Sequence, residues 1–210
     1  MQSGPSLYTF LMRSHLPTGK SHPPAPLAPG GEMAWSAAMK LLHWLIALLI
    51  FLQFALGWLA VGWHLSPMKL TLFVWHKSTG MVVLGLVVIR LLCRLATPAP
   101  PLPADTPAWE RGAARASHVM LYLLMLGMPV TGWIINSAAG MPFRIFWRLP
   151  LPAIVAVDKG TAALASLAHL SLGIALALLL VVHVGAALRH HFVQRDNVLT
   201  RMLPTRTKRR

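Results

Sequence analysis

Long uninterrupted runs of apolar residues alternate with short polar segments along most of this chain. Uncharged stretches cover residues 41–68, 116–143 and 160–188, and each exceeds the roughly 18 residues that indicate a membrane-spanning helix. A fourth apolar run, residues 70–92, contains Lys77 and Arg90, but long basic side chains can reach the membrane interface from within a helix. The pattern predicts an all-α membrane protein, a bundle of four transmembrane helices.

Composition agrees with this pattern. Of the 210 residues, 56% are hydrophobic and 11% are charged, so the chain is more apolar and less charged than an ordinary soluble domain. The Pro-rich segment ATPAPPLPADTPAWE, residues 96–110, lies between the second and third apolar runs. We interpret it as a linker between two pairs of helices within one four-helix domain, residues 35–204.

The basic residues are distributed unequally between the two predicted sides of the membrane. Four spans place both termini on one side, and that side carries fourteen of the nineteen Lys and Arg residues. Because segments rich in Lys and Arg remain in the cytoplasm, we expect both termini to be cytoplasmic. The net charge of +14 and the basic tail, residues 205–210, then indicate attraction to anionic lipids and not nucleic-acid binding.

The first 34 residues differ from the rest of the chain. They are rich in Pro and Gly and lack an apolar period, so we predict a disordered Pro-rich arm over residues 1–34. No apolar h-region with a small-residue cleavage site is found there, so we do not interpret the arm as a secretory signal. A misassigned start, with Met33 or Met39 as the first residue, is an alternative explanation of the arm.

Apart from His64, which we assign to a loop, and His118, which opens the third helix, four histidines lie inside the predicted spans, while all five Asp and Glu residues lie outside the apolar runs. These histidines are His43, His76, His169 and His183. Taken singly, each is more simply interpreted as a polar residue hydrogen-bonded to a neighbouring helix. Four together indicate a functional site, because ionisable groups are costly in hydrocarbon and usually mark one.

The depths of these histidines predict how they pair. His43 lies near the start of the first helix and His183 near the end of the last, so both belong to the cytoplasmic side. His76 and His169 lie near the starts of the second and fourth helices, on the opposite side. His169 and His183 are fourteen residues apart, which is about 21 Å along a helix and about 40° short of four turns. One face of the last helix therefore contributes an imidazole to each of two sites.

Two imidazoles facing each other across a helix bundle are typical axial ligands of a b-type haem. Zinc sites use three or four protein ligands, whereas each pair here offers two and needs a cofactor that supplies the other four. The single cysteine, Cys93, allows no internal disulfide, and no Cys-x-x-Cys-His motif for covalent haem attachment is found. We therefore predict two non-covalent haem b groups, with the iron of one bound by His43 and His183 and that of the other by His76 and His169.

Several residues near the predicted ligands have two interpretations. Small residues provide either room for a haem or ordinary helix packing. They are Gly80, Gly85, Gly173 and Gly185. Lys77 and Arg189 either bind haem propionates or lie at the membrane interface. His118 opens the third helix without a partner, which leaves a propionate, a quinone or the interface as its role.

Four segments of the chain together resemble the bacterial cytochrome b561 family. They are MKLLHWLIALLIF, VWHKSTGMVVLGLVVIRLLCRL, SHVMLYLLMLGMPVTGW and HLSLGIALALLLVVHVGAALRHHFVQRDNVLTRMLP, within residues 39–204. The resemblance implies a four-helix bundle in the bacterial inner membrane with two non-covalent b haems, held by the two histidine pairs. It also implies electron transfer linked to the quinone pool, with superoxide oxidation proposed for some members.

The expected function is therefore transmembrane electron transfer through two b-type haems, with exchange of electrons with the quinone pool. Ubiquinone is the expected substrate, and a donor or acceptor protein is the expected partner at the opposite face. One alternative is a haem-bearing membrane anchor of a hydrogenase or formate dehydrogenase, although the short loops offer little docking surface. A remote alternative is a metal-ion transporter, which the lack of intramembrane carboxylates disfavours.

Overall fold

The computed structural model describes residues 35–97, 100 and 106–203. The predicted arm over residues 1–34 and the basic tail over residues 205–210 lie outside the described residues. The described part contains four long helices, each long and apolar enough to cross a membrane. They are α1 (Ala37–Gly62), α2 (Pro67–Ala96), α3 (Ala108–Ala138) and α4 (Lys159–Arg189). The predicted four-helix bundle is confirmed.

Side-chain caps fix where three of the helices begin. The hydroxyls of Ser36 and Ser66 and the carboxylate of Asp158 each accept a hydrogen bond from the backbone N–H three residues further along. These bonds satisfy backbone donors that have no partner inside the helix. Hydrogen bonds from the side chain and backbone of Thr161 also hold the pKa of Asp158 below its usual range.

The helices pack in chain order, α1 against α2, α2 against α3 and α3 against α4. Their shared core is a layer of seven buried aliphatic side chains: Ile46, Ile50, Val83, Val87, Leu121, Leu124 and Leu176. Many other large apolar side chains are exposed on the outer faces of the bundle, as lipid contact requires. Leu176 is seven residues from both His169 and His183, so the core layer lies between the two histidine levels.

The α3–α4 connection departs from the predicted spans. The apolar run predicted a helix as far as residue 143, but α3 ends at Ala138 and a two-stranded hairpin follows. Gly140 adopts a left-handed conformation with φ 67°, and the nearby Pro142 has no backbone N–H to continue a helix. Antiparallel β1 (Phe143–Ile145) and β2 (Leu149–Leu151) then pair, with Phe143 opposite Leu151.

The other end of the bundle holds the start of α1 and the end of α4, and we call it the terminal end. After α4 the chain forms a π-helical turn, His190–Gln194, and Arg195 then reverses it in a left-handed conformation with φ 55°. The returning segment reaches α1, where the Trp44 indole N–H donates to the Met202 carbonyl at 2.8 Å. This contact fastens the C-terminal segment next to His43.

Candidate functional site

The bundle brings the four predicted histidines together in two pairs at two levels. Near the terminal end, the ring centroids of His43 on α1 and His183 on α4 are 6.3 Å apart. Nearer the hairpin, the centroids of His76 on α2 and His169 on α4 are also 6.3 Å apart. We call these the terminal site and the hairpin site.

This separation can be compared with the one a haem iron would require. An imidazole nitrogen binds a transition-metal ion at about 2.0–2.1 Å and lies roughly 1.1 Å from its ring centroid, so two axial imidazoles have centroids about 6.3 Å apart. Both pairs have that separation. Within the described ranges, no cluster of three or more His, Cys, Asp or Glu residues is suited to a bare metal ion. The donor sets fit a cofactor that needs two axial ligands.

Hydrogen bonding fixes the tautomer of His169. Its Nδ1 lies 2.9 Å from the Thr131 hydroxyl and 3.1 Å from the Met128 carbonyl oxygen. The Thr131 hydroxyl donates its own hydrogen to the Met128 carbonyl at 2.8 Å, so both neighbours of Nδ1 are acceptors. The ring proton therefore belongs on Nδ1, which leaves Nε2 unprotonated and able to bind iron.

His76 is held differently, by packing and not by a hydrogen bond to its ring. Its Nδ1 is buried and has no hydrogen-bond partner among the described residues. The Gln53 amide donates to the backbone carbonyl of His76 at 2.9 Å, which ties α1 to this turn of α2. A buried ring nitrogen without a partner is rare in folded proteins, so the protein alone does not satisfy this imidazole.

Two glycines lie beside the imidazoles of the hairpin site, and at Gly57 the contact is too close for an added Cβ to fit without a shift. A Cβ added at Gly57 of α1 would lie 3.2 Å from Cε1 of His76, and one at Gly132 of α3 would lie 3.5 Å from Cε1 of His169. Both glycines are far in sequence from the ring they contact, so sequence spacing could not identify them.

The four glycines singled out from the sequence do not contact the ring of a predicted ligand. A Cβ at Gly80 would meet the Gln53 amide, and one at Gly173 would meet the Met128 side chain. At Gly85 and Gly185 a Cβ would meet no described atom within 4 Å. For Gly80 and Gly173 the packing interpretation is therefore the better one.

The terminal site contains a third imidazole. His118 on α3 has its ring centroid 5.7 Å from that of His183, at an interplanar angle of 75°. Sequence reasoning left His118 without a partner, because the rotation of α3 about its axis was unknown. The approach is closer than the 6.3 Å of the two predicted pairs, so His118 lies beside the pair without the separation that a shared iron requires.

Arg90 of α2 joins this cluster. Its charge acts electrostatically on His43, His118 and His183. The guanidinium donates to the hydroxyl of Tyr122, which lies one helical turn beyond His118 on the same face of α3. The sequence predicts Arg90 only as a basic side chain that reaches the membrane interface; the spacing of His118 and Tyr122 is the feature that could have indicated a shared polar face.

Both basic residues considered as propionate partners have protein partners. Lys77 donates to the Asn136 side-chain oxygen at 2.7 Å. Arg189 forms an ion pair with Glu110 at 3.2 Å, at the terminal end of the bundle. Both basic side chains are thus bound to α3, Lys77 near its end and Arg189 near its start.

A family model and several known proteins match this chain over most of its length. The family model described as prokaryotic cytochrome b561 matches residues 34–205, which include all four helices. Cytochrome b561 homolog 2 of Escherichia coli (strain K12) is 38% identical over 168 residues, covering 77% of this chain and 86% of the relative. Cytochrome b561 homolog 1 of the same organism is 30% identical over 169 residues, covering 79% and 94%. A protein of Yersinia pestis named probable superoxide oxidase CybB is 30% identical over 166 residues, covering 78% and 92%.

Proposed function

Because the chain belongs to the prokaryotic cytochrome b561 family, we propose that it carries electrons through two b haems, one at each histidine pair. Membership makes the protein a multi-pass bacterial inner-membrane oxidoreductase that binds b-type haem and transfers electrons across the membrane. The proposal adds the haem count, the four ligands and their pairing. The observation that carries it is the separation of 6.3 Å between ring centroids in both pairs.

Each proposed haem supplies a one-electron iron couple, and the residues of the chain hold it and exclude water. α4 contributes one ligand to each site, His169 to the hairpin site and His183 to the terminal site. The buried layer around Leu176 lies between them. Fourteen residues of helix separate the two ligands by about 21 Å, so the pair of sites extends over most of the roughly 30 Å hydrocarbon core.

We further propose quinone as the membrane partner and superoxide as a candidate electron donor. The relative named a probable superoxide oxidase supports the second assignment. Each superoxide would release one electron and become dioxygen, and two electrons with two protons would convert one quinone to quinol. The distribution of Lys and Arg supports an orientation with both termini in the cytoplasm, which places the terminal site on the cytoplasmic side.

Alanine substitution of each proposed ligand tests the pairing. We expect His43→Ala and His183→Ala to remove the same haem component, and His76→Ala and His169→Ala to remove the other, since each change deletes one of two axial ligands. The measurement is a redox titration of the purified holoprotein, followed by haem absorbance and a haem-to-protein ratio. The wild type should show two components and two haems per chain.

His64→Ala is the matched control for this series. His64 is exposed beyond the end of α1 and stacks on Trp63, with ring centroids 5.8 Å apart, so its loss should leave both components intact. Loss of one and the same component from His43→Ala and His76→Ala would show that the pairing is wrong. A variant of any of the four that kept two unperturbed haems would remove that histidine from the ligand set.

A further inference from the structure

The turn of α2 that carries His76 is held by the hairpin, residues 143–151. Ser78 is completely buried, and its hydroxyl oxygen accepts a hydrogen bond from the backbone N–H of Phe146 at 2.8 Å. Trp75 contacts the hairpin tip edge to face, with ring centroids 5.3 Å from Phe146 and 6.0 Å from Trp147. The tip is therefore fixed to residues on both sides of His76.

Lys77 makes the third contact between this turn and the α3–α4 connection. Its ammonium lies 5.8 Å from the ring centroid of Phe143, at the start of β1, and donates to Asn136. The Asn136 amide in turn donates to the Met141 carbonyl at 2.7 Å. The neighbours of His76 at positions 75, 77 and 78 thus all contact the end of α3 or the hairpin.

The backbone conformation of the tip is unfavourable for its residues unless these contacts stabilise it. Phe146 and Trp147 have φ of 47° and 62°, a left-handed conformation that two-residue hairpin turns usually give to Asn and Gly. Bulky side chains are unfavourable there unless surrounding contacts compensate. The contacts that compensate are those with Trp75 and Ser78, so the hairpin depends on α2 for its conformation.

We propose that the hairpin is a clamp that closes the hairpin site to water and fixes the orientation of His76, with Ser78 as the positioning residue that holds it shut. This inference rests on the proposed function, because it takes His76 to be a haem ligand. Solvent exposure is one of the factors that set a haem potential. Water stabilises the more highly charged ferric state, so a closed clamp raises the midpoint potential of this haem and an open one lowers it.

The test compares Ser78→Ala with Thr79→Ala in the purified holoprotein. Both changes remove a buried hydroxyl from the same turn, but the Thr79 hydroxyl donates to the Trp75 carbonyl within α2. We expect Ser78→Ala to change the oxidised-to-reduced ratio of the hairpin-site haem about three- to tenfold toward the ferric form, or roughly 30–60 mV for one electron. The terminal-site haem should not shift, and Thr79→Ala should behave as wild type.

Tryptic cleavage gives a second readout that does not depend on haem. Arg144 and Arg148 flank the tip and are exposed, so opening of the hairpin should speed cleavage after them, as followed by mass spectrometry. Ser78→Ala should be cleaved faster than the wild type and Thr79→Ala should not. A further variant, Phe146→Gly, keeps the N–H and suits the left-handed turn but removes the ring, so it should also open the tip.

Three results would overturn the clamp. They are no shift in Ser78→Ala, even if its cleavage is faster, equal shifts in both haems, and equal shifts in the Ser78 and Thr79 variants. A different result would contradict the proposed function, namely that the His76→Ala variant loses no haem component. The tryptic comparison would then still decide whether Ser78 holds the hairpin, while closure of a haem site would be rejected.

Discussion

At the scale of single residues, His118 is the side chain whose role the structure changes most. The ring centroid of His118 lies 5.7 Å from that of His183, whereas the ring centroid of His43 lies 6.3 Å from it. Only the longer separation matches two imidazoles on one iron. We expect His118→Ala to keep two haems, with a changed potential at the terminal site, because a polar neighbour of the ligand His183 is lost.

The measurement for His118→Ala is the haem-to-protein ratio together with electron paramagnetic resonance of the oxidised protein. Two axial imidazoles at each iron should give only low-spin ferric signals, as in the wild type. His43→Ala, made in parallel, should lose low-spin haem from the terminal site. The reverse result, loss from His118→Ala and retention in His43→Ala, would make His118 the partner of His183.

The sequence predicted which residues are candidate ligands but not what surrounds them. His43, His76, His169 and His183 are conspicuous because ionisable groups are rare in apolar helices, and helix direction was enough to assign each a depth. The neighbours of the predicted ligands, such as Arg90, Thr131 and Gly57, depend on how each helix is rotated about its axis. That rotation is set by packing of the whole bundle, which a nearly uniform apolar surface does not encode.

At the scale of the elements, close contact between helices leaves no spare volume beside His76. A Cβ at Gly57 would lie 3.2 Å from the ring, so Gly57→Ala should displace His76 and weaken haem retention at the hairpin site about tenfold. Haem retention can be measured as the rate of haem transfer to an apoglobin acceptor. Helix propensity alone would favour Ala over Gly by up to about 1 kcal/mol, so a loss must come from the contact.

Two glycines provide graded controls for Gly57→Ala. At Gly132 the added Cβ would lie 3.5 Å from His169, which is ordinary van der Waals contact, and at Gly62 it would meet no described atom within 4 Å. Both alanine variants should retain haem as the wild type does. Equal loss from Gly57→Ala and Gly62→Ala would show that the effect is not steric.

The hairpin is the element that the apolar pattern did not predict. Residues 116–143 form one uncharged run, and a count of apolar residues cannot distinguish its last five from the helix before them. Gly140 and Pro142 were the local signals of a helix end. The strands themselves are short, and the conformation of their tip depends on Trp75 and Ser78, which are about 70 residues earlier in the chain.

At the scale of the whole molecule, both sites share one helix and differ in their other partner, α1 for the terminal site and α2 for the hairpin site. The spacing between the two proposed haem sites is therefore set by the number of α4 residues between His169 and His183. An alanine inserted after Leu176 would rotate everything beyond it by about 100° and advance it by about 1.5 Å. One ligand of α4 would turn away from its partner, and the protein should hold one haem per chain, as measured by the pyridine haemochrome assay.

An alanine inserted after the exposed Ala156, in the α3–α4 connection, is the control and should leave two haems. Two haems after the insertion in α4 would mean that the helix absorbs the extra residue as a local bulge. Loops can lengthen without changing the distance between the two proposed haem sites. One uninterrupted helix fixes that distance. It can change only by whole residues, and each added or removed residue also rotates a proposed ligand away from its partner histidine.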